Sequence, residues 1–155
     1  MKYYNEIKSK LIDNEVYKKV KDYSKNKNNL STYYAVGKLL YEAGNKYREG
    51  IIKKYSERLV IEVGRNYNER TLRRIRQFYL VFKDEIWSTM STKLMWSHYT
   101  EILSLSNVNE INYYINITEE YNLSVRQLRE RIKNKEYQRL DDNTKLKLIN
   151  KEETK

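Results

Sequence analysis

Residues 64 to 80 carry five arginines, Arg65, Arg70, Arg73, Arg74 and Arg76, against the single acid Glu69. A guanidinium is a planar fork of donors that fits a phosphate or the major-groove edge of guanine, and the amide of Gln77 can pair in the same way with adenine. Drawn as a helix over 69–86, the segment puts Leu72, Ile75, Tyr79, Phe82 and Ile86 on one side at three- and four-residue steps. Arg70, Arg73, Arg74 and Gln77 then project from the other side. Lysine is plentiful elsewhere in the chain, yet every basic residue of this window is arginine, as a role for the guanidinium itself would require. The plain alternative is a solvated helix face tied by pairs such as Glu69 with Arg73.

A second helix, from 125 to about 139, offers Arg126, Lys133 and Tyr137 on the side away from Val125, Leu128 and Ile132. Glu130 falls in the middle of that side. A carboxylate there suits a solvated face, or a support that touches phosphates, better than a helix that reads bases. The two segments share a pattern: an N-cap residue, Asn68 or Ser124, followed by R-x-L-R at Arg70-Leu72-Arg73 and Arg126-Leu128-Arg129. Each follows a helix and a turn, through Gly64-Arg65-Asn66 and Tyr121-Asn122-Leu123. That is the sequence form of a helix-turn-helix, whose second helix can enter a major groove.

Enzymatic chemistry finds no footing. There is no cysteine and one histidine, His98 in Trp96-Ser97-His98-Tyr99, so the usual zinc spacings and a cysteine nucleophile are excluded. That histidine reads as a hydrogen-bonded core or cap residue. Phosphate-binding glycine loops, zincin motifs and nucleophile elbows are missing. Glu153-Thr154-Lys155 forms an E-x-K string in a polar tail and carries no chemistry. No cofactor and no metal are expected. The sixteen tyrosines recur beside aliphatic residues, as at Tyr33, Tyr34 and Tyr41 or Tyr113 and Tyr114, which reads as core packing rather than as stacking platforms for bases.

The elements that must position these residues are helices. Proline is absent and glycine occurs only at 37, 44, 50 and 64, so the punctuation of a many-stranded fold is lacking and an all-α domain is expected. Apolar spacing and caps predict helices over 3–28 with a break near Asp13-Asn14, over 31–43 with Gly44 as a left-handed cap, and over 47–63 closed by Gly64. Asn68 caps 69–86, an irregular stretch runs from Trp87 to Thr92, and shorter helices cover 94–105 and 107–121. Ser124 and Gln127 form a capping box for the last helix. A single helical domain over 1–140 followed by a polar, flexible tail over 141–155 is the expected organisation, compatible with a chain of 155 residues. The balance of 31 Lys+Arg against 21 Asp+Glu gives a net charge of +10, which suits a polyanionic partner. AT-biased coding would also enrich Lys, Asn, Ile and Tyr. The charged N-terminus and the lack of a long apolar run predict a cytoplasmic protein without a membrane segment.

Four blocks carry a family resemblance: Leu30-Ser31-Thr32-Tyr33-Tyr34-Ala35-Val36-Gly37-Lys38-Leu39-Leu40; Ser56 to Tyr79; Leu94-Met95-Trp96-Ser97-His98-Tyr99; and Tyr113-Tyr114 through Leu123-Ser124-Val125-Arg126-Gln127-Leu128. Together they cover roughly residues 5 to 140 and resemble, in order, the N-terminal domain of the YhcG family. In that family a winged-helix-like, DNA-binding helical domain precedes a PD-(D/E)XK nuclease domain. The resemblance implies the same helical fold here and directs attention to Arg70, Arg73, Arg74, Trp96 and His98. Tyr34 replaces a common tryptophan and Asn66 a usual glycine, which asparagine can replace in a left-handed turn. The 15 residues after Leu140 do not supply the nuclease half, so cleavage is not carried over. The expected function is a non-enzymatic nucleic-acid-binding module, with DNA favoured over RNA, using the 69–86 helix with Arg65, and with Arg126 and Lys133 in support. The alternative is a mobile-element or phage-encoded inhibitor of a nucleic-acid-handling defence complex, such as an anti-CRISPR, that binds protein or guide RNA. Homo-oligomerisation is left open by the sequence.

Overall fold

A computed structural model of the chain describes residues 2–19, 25–83, 93–105 and 107–145. All of its regular structure is helical, as expected. The elements are α1 (Lys2–Lys18), α2 (Lys25–Tyr47), α3 (Gly50–Glu62), α4 (Glu69–Phe82), α5 (Trp96–Ile102), α6 (Val108–Tyr121) and α7 (Val125–Lys133), with a short 3-10 turn at Tyr137–Arg139. They gather into two compact units, Met1–Thr92 and Lys93–Lys155.

In the first unit α2 is the central helix, with α1, α3 and α4 packed against it. Its buried residues Leu30, Tyr33, Val36, Leu40 and Ala43 recur at three and four residues, the repeat of one helix face. Tyr4, Ile7 and Leu11 come from α1, Ile52, Tyr55 and Leu59 from α3, and Leu72, Ile75, Phe78 and Phe82 from α4. Gly37 sets the α2–α4 spacing. A Cβ there would lie 2.5 Å from the Ile75 carbonyl oxygen and 2.7 Å from the Tyr79 Cβ, so only glycine lets the two backbones come this close.

Several expected boundaries change. Gly44 does not end a helix. No described glycine has a positive φ, α2 runs on to Tyr47, and the chain turns at Arg48, whose φ is 70°. No break occurs at Asp13-Asn14, because the buried Asn14 turns its amide sideways and donates to Asn29 Oδ1 at 2.9 Å. Gly64 falls one residue beyond the C-cap, Val63, and its N–H reaches the Leu59 carbonyl without left-handed geometry. Asn66 likewise lacks a positive φ. The part of the expected 69–86 helix beyond Lys83 and the stretch Trp87 to Thr92 lie outside the described residues, as do 146–155 of the tail.

The second unit packs α5, α6 and α7 around Leu94, Tyr99, Ile102, Ile111, Tyr114, Leu128 and Tyr137. Between α6 and α7 stand only Asn122, in the left-handed region at φ 51°, Leu123 and Ser124. The predicted capping box forms: the Gln127 N–H donates to Ser124 Oγ at 3.1 Å and the Ser124 N–H to Gln127 Oε1 at 2.9 Å. His98 locks this turn from beneath. Its Nδ1 accepts the Met95 N–H at 3.0 Å, which leaves Nε2 to donate to the Leu123 carbonyl at 2.9 Å. The last helix is shorter than the expected 125–139, because Lys135 takes a φ of 55° and Tyr137 folds inward, its N–H donating to the Tyr114 hydroxyl. Asp141 then caps a helical turn by accepting the Thr144 N–H at 2.7 Å, so the tail begins in ordered structure.

Candidate nucleic-acid interface

Helix α4 starts where the sequence places it, with Asn68 Oδ1 accepting the Thr71 N–H at 3.0 Å. Its first acidic residue, Glu69, faces the positive end of the helix dipole, which stabilises the start of the helix. Burial of Leu72, Ile75, Phe78 and Phe82 fixes the rotation of the helix. At 100° per residue, Arg70, Arg73 and Gln77 then lie opposite that stripe, Arg74 on one flank and Arg76 on the other. Arg70 and Gln77 are exposed and Arg74 half-buried, and Arg65 is exposed on the preceding turn. Among the described residues no ion pair engages Arg65, Arg70 or Arg74.

Arg73 behaves differently from its neighbours. Its Nε and Nη2 donate to Glu69 Oε1 at 3.2 and 2.8 Å, and its Nη1 donates to Glu49 Oε1 at 2.7 Å. Arg76 Nη2 donates to the same Glu49 oxygen at 2.9 Å. The carboxylate of Glu69 first, and then that of Glu49, holds the Arg73 guanidinium above its ordinary range. Glu49 is held below the usual carboxylate range by Arg76 and then Arg73. Of the arginines proposed from sequence, then, Arg70 and Arg74 stand as uncompensated cations beside a locally neutralised Arg73. Arg76 and Glu49, neither of them among the site residues expected from sequence, form the centre of a charge network.

In the second unit Arg126 and Lys133 are both exposed on α7, and the exposed Glu130 lies between them in the sequence. Arg129 donates from Nε and Nη2 to Glu101 Oε1 at 3.0 and 2.8 Å. The repeated pattern therefore repeats in structure: in both copies the leucine is fully buried, the first arginine is exposed and the second is tied to a glutamate upstream. Charge does not repeat. Residues 1–92 hold 20 Lys+Arg against 11 Asp+Glu, a net of +9, whereas residues 93–155 hold 11 against 10, a net of +1.

The other polar features serve the fold. Tyr4, Tyr67, Tyr99 and Tyr114 are fully buried, and the hydroxyls of Tyr4, Tyr67 and Tyr113 donate to Glu62, Glu15 and Glu136. Burial first, and then the Glu62 carboxylate, pushes Tyr4 up to about 12, while the Tyr4 hydroxyl and Lys8 hold Glu62 down at about 2. Trp96, at the start of α5, is half-buried and His98 is committed to the α6–α7 turn. Among the described residues no group of His, Cys, Asp and Glu could hold a metal, and no helix is long and apolar enough to cross a membrane. The E-x-K string lies outside the described residues.

A family model described as the DUF1016 N-terminal domain matches residues 7–139, in agreement with the resemblance read from the four sequence blocks. No curated protein and no solved structure matches the chain.

Proposed function

The chain belongs to the DUF1016 N-terminal domain family, and from that premise we propose that it is a non-enzymatic nucleic-acid-binding module that meets duplex DNA with the outward side of α4. One observation carries the reading: α4 buries a complete apolar stripe and turns Arg70, Arg74 and Gln77 away from it, with no acid compensating either arginine among the described residues. The concentration of net charge in residues 1–92 points the same way. Arg65, on the turn before the helix, extends the basic side, and Arg126 and Lys133 of α7 act as phosphate-contacting support.

Each phosphate neutralised on duplex DNA releases condensed counterions and contributes about −0.9 to the slope of log K against log salt. Contacts from Arg65, Arg70 and Arg74 give a slope of about −3. The variant Arg70→Ala/Arg73→Ala/Arg74→Ala should remain folded, since none of the three belongs to the stripe, and its slope should shrink by about two units, Arg73 contributing least. Fluorescence anisotropy with duplex DNA, single-stranded DNA and structured RNA over a salt series measures this. Equal, weak binding of all three ligands by both proteins would end the nucleic-acid reading.

A second reading, an inhibitor of a nucleic-acid-handling defence complex, draws on Ile61, which is 85% exposed on α3 beside Arg58 and Glu62. A protein partner would cover such an aliphatic group, and naked nucleic acid would not. In that case the salt series shows negligible affinity for nucleic acid.

A further inference from the structure

Two guanidiniums that converge on one oxygen make an oxyanion site, whatever supplies the oxygen. Arg73 Nη1 and Arg76 Nη2 both donate to Glu49 Oε1, at 2.7 and 2.9 Å. The site is built rather than incidental. Glu69 holds Arg73 through two further donor atoms. Arg76, whose side chain is 20% exposed, lies against α2 beside Gly44, where an added Cβ would stand 3.8 Å from Arg76 Nη1. The occupant is the loose member of the group. Glu49 is 63% exposed and stands on the corner between α2 and α3. A carboxylate oxygen and a phosphodiester oxygen offer the same acceptor to such a fork, and the phosphate offers more of them.

We infer that Arg73 and Arg76 form a phosphate subsite of the α4 interface, occupied in the free protein by the Glu49 carboxylate and in the bound state by a nucleic-acid backbone phosphate that displaces it. This rests on the nucleic-acid reading given above. Glu49 thereby acts as a built-in competitor that lowers affinity for any polyanion and keeps Arg73 and Arg76 oriented for the exchange.

The test is Glu49→Gln in the full chain, with Glu57→Gln as a control, since Glu57 is an exposed α3 residue whose loss changes the net charge equally. Glu49→Gln should tighten duplex DNA binding by about three- to tenfold, the effect of removing two exposed ion pairs that compete with the ligand. The salt slope should stay close to that of the wild type, because the same phosphate occupies the subsite in both bound states. Glu57→Gln should give little gain in affinity, and adding Arg76→Ala to Glu49→Gln should cancel the gain and reduce the slope by about 0.9. In parallel, inorganic phosphate compared with chloride at equal ionic strength should raise the melting temperature of Glu49→Gln and not that of Glu49→Gln/Arg76→Ala. If the wild type binds DNA and Glu49→Gln behaves like Glu57→Gln, the subsite is overturned while the α4 reading stands. If phosphate stabilises Glu49→Gln selectively but no nucleic acid binds, the oxyanion site stands, and its proposed occupant falls together with the α4 reading. If neither phosphate nor nucleic acid distinguishes the variants, both are overturned.

Discussion

Replacing Gly37 by alanine tests the packing that orients α4. The new methyl carbon would sit 2.5 Å from the Ile75 carbonyl oxygen and 2.7 Å from the Tyr79 Cβ, both well inside ordinary contact. Neither obstacle is the far end of a flexible side chain, so the two helices must part by about 1 Å to reach normal separation. Two effects oppose each other. Alanine in place of glycine inside a helix gains about 1 kcal/mol of propensity. Overpacking of a close-packed site costs about 1–3 kcal/mol, and a clash with backbone belongs at the upper end, since parting the helices also loosens Val36, Leu40, Leu72 and Ile75, all fully buried. The cost wins, and the net loss is about 2 kcal/mol. Gly44→Ala provides the contrast within the same helix. Its Cβ would find Arg76 Nη1 at 3.8 Å, an ordinary contact, so the propensity gain survives and stability should rise by about 0.5–1 kcal/mol. Urea titration followed by circular dichroism measures both, read as midpoint shifts at constant m-value. If Gly37→Ala is as stable as the parent, or tracks Gly44→Ala, α2 and α4 do not cross this closely and the deduced orientation of the arginines loses its basis.

Leu72→Ala removes a fully buried side chain from the α4 stripe and should cost about 2–5 kcal/mol in the same titration. His98→Ala leaves the Met95 N–H and the Leu123 carbonyl unpartnered and should destabilise the α6–α7 turn by about 2–3 kcal/mol; nitrogen NMR of the parent should show the proton on Nε2. Glu62 has its folded pKa depressed from 4.5 to about 2, so its contribution is present above pH 4.5 and is lost as pH falls through about 2. Tyr4, raised from 10.0 to about 12, contributes in the opposite sense, with full effect below pH 10 and loss as pH rises through about 12. Glu62→Gln should flatten the acid limb of a stability–pH curve, and tyrosinate absorbance should show Tyr4 ionising well above the ordinary tyrosine range.

Local signals proved legible in the sequence, and signals decided at long range did not. Asn68 and Ser124 cap their helices as expected because a cap is settled within three residues. The stripe of Leu72, Ile75 and Phe82 was readable from its period, and with it the outward placement of Arg70 and Gln77. The continuity of α2 through Gly44 was not, nor was the close α2–α4 approach at Gly37, since each glycine faces a residue of α4 that is more than thirty positions away. The same distance hid the charge network: Glu49 and Arg73 lie 24 residues apart, and nothing at Glu49 marks it among the other surface glutamates. Gly44 looked like a cap because glycine commonly is one, yet here it lies inside α2 beside Arg76.

The two copies of the R-x-L-R pattern say where a function beyond folding would be sought. Like charges three or four residues apart on a helix cost a few tenths of a kcal/mol each. In α4 the pairs Arg70 with Arg73, Arg70 with Arg74 and Arg73 with Arg76 all have that spacing. Glu69 and Glu49 offset the burden at Arg73 and Arg76, but Arg70 and Arg74 keep theirs. In α7 the corresponding lead arginine, Arg126, has Glu130 four residues on, the spacing at which opposite charges support a helix. If both segments were only solvated faces, the same relief would serve α4 equally well, and an acid at position 74 would cost nothing in the core. The uncompensated pair is therefore a standing penalty that a polyanion would turn into a gain. It follows that duplex DNA at low salt should protect α4 amides from hydrogen exchange more than those of α7, and that Arg74→Glu should stabilise the free protein by a few tenths of a kcal/mol while abolishing that protection. Equal protection of the two helices would remove the distinction on which the choice of α4 depends.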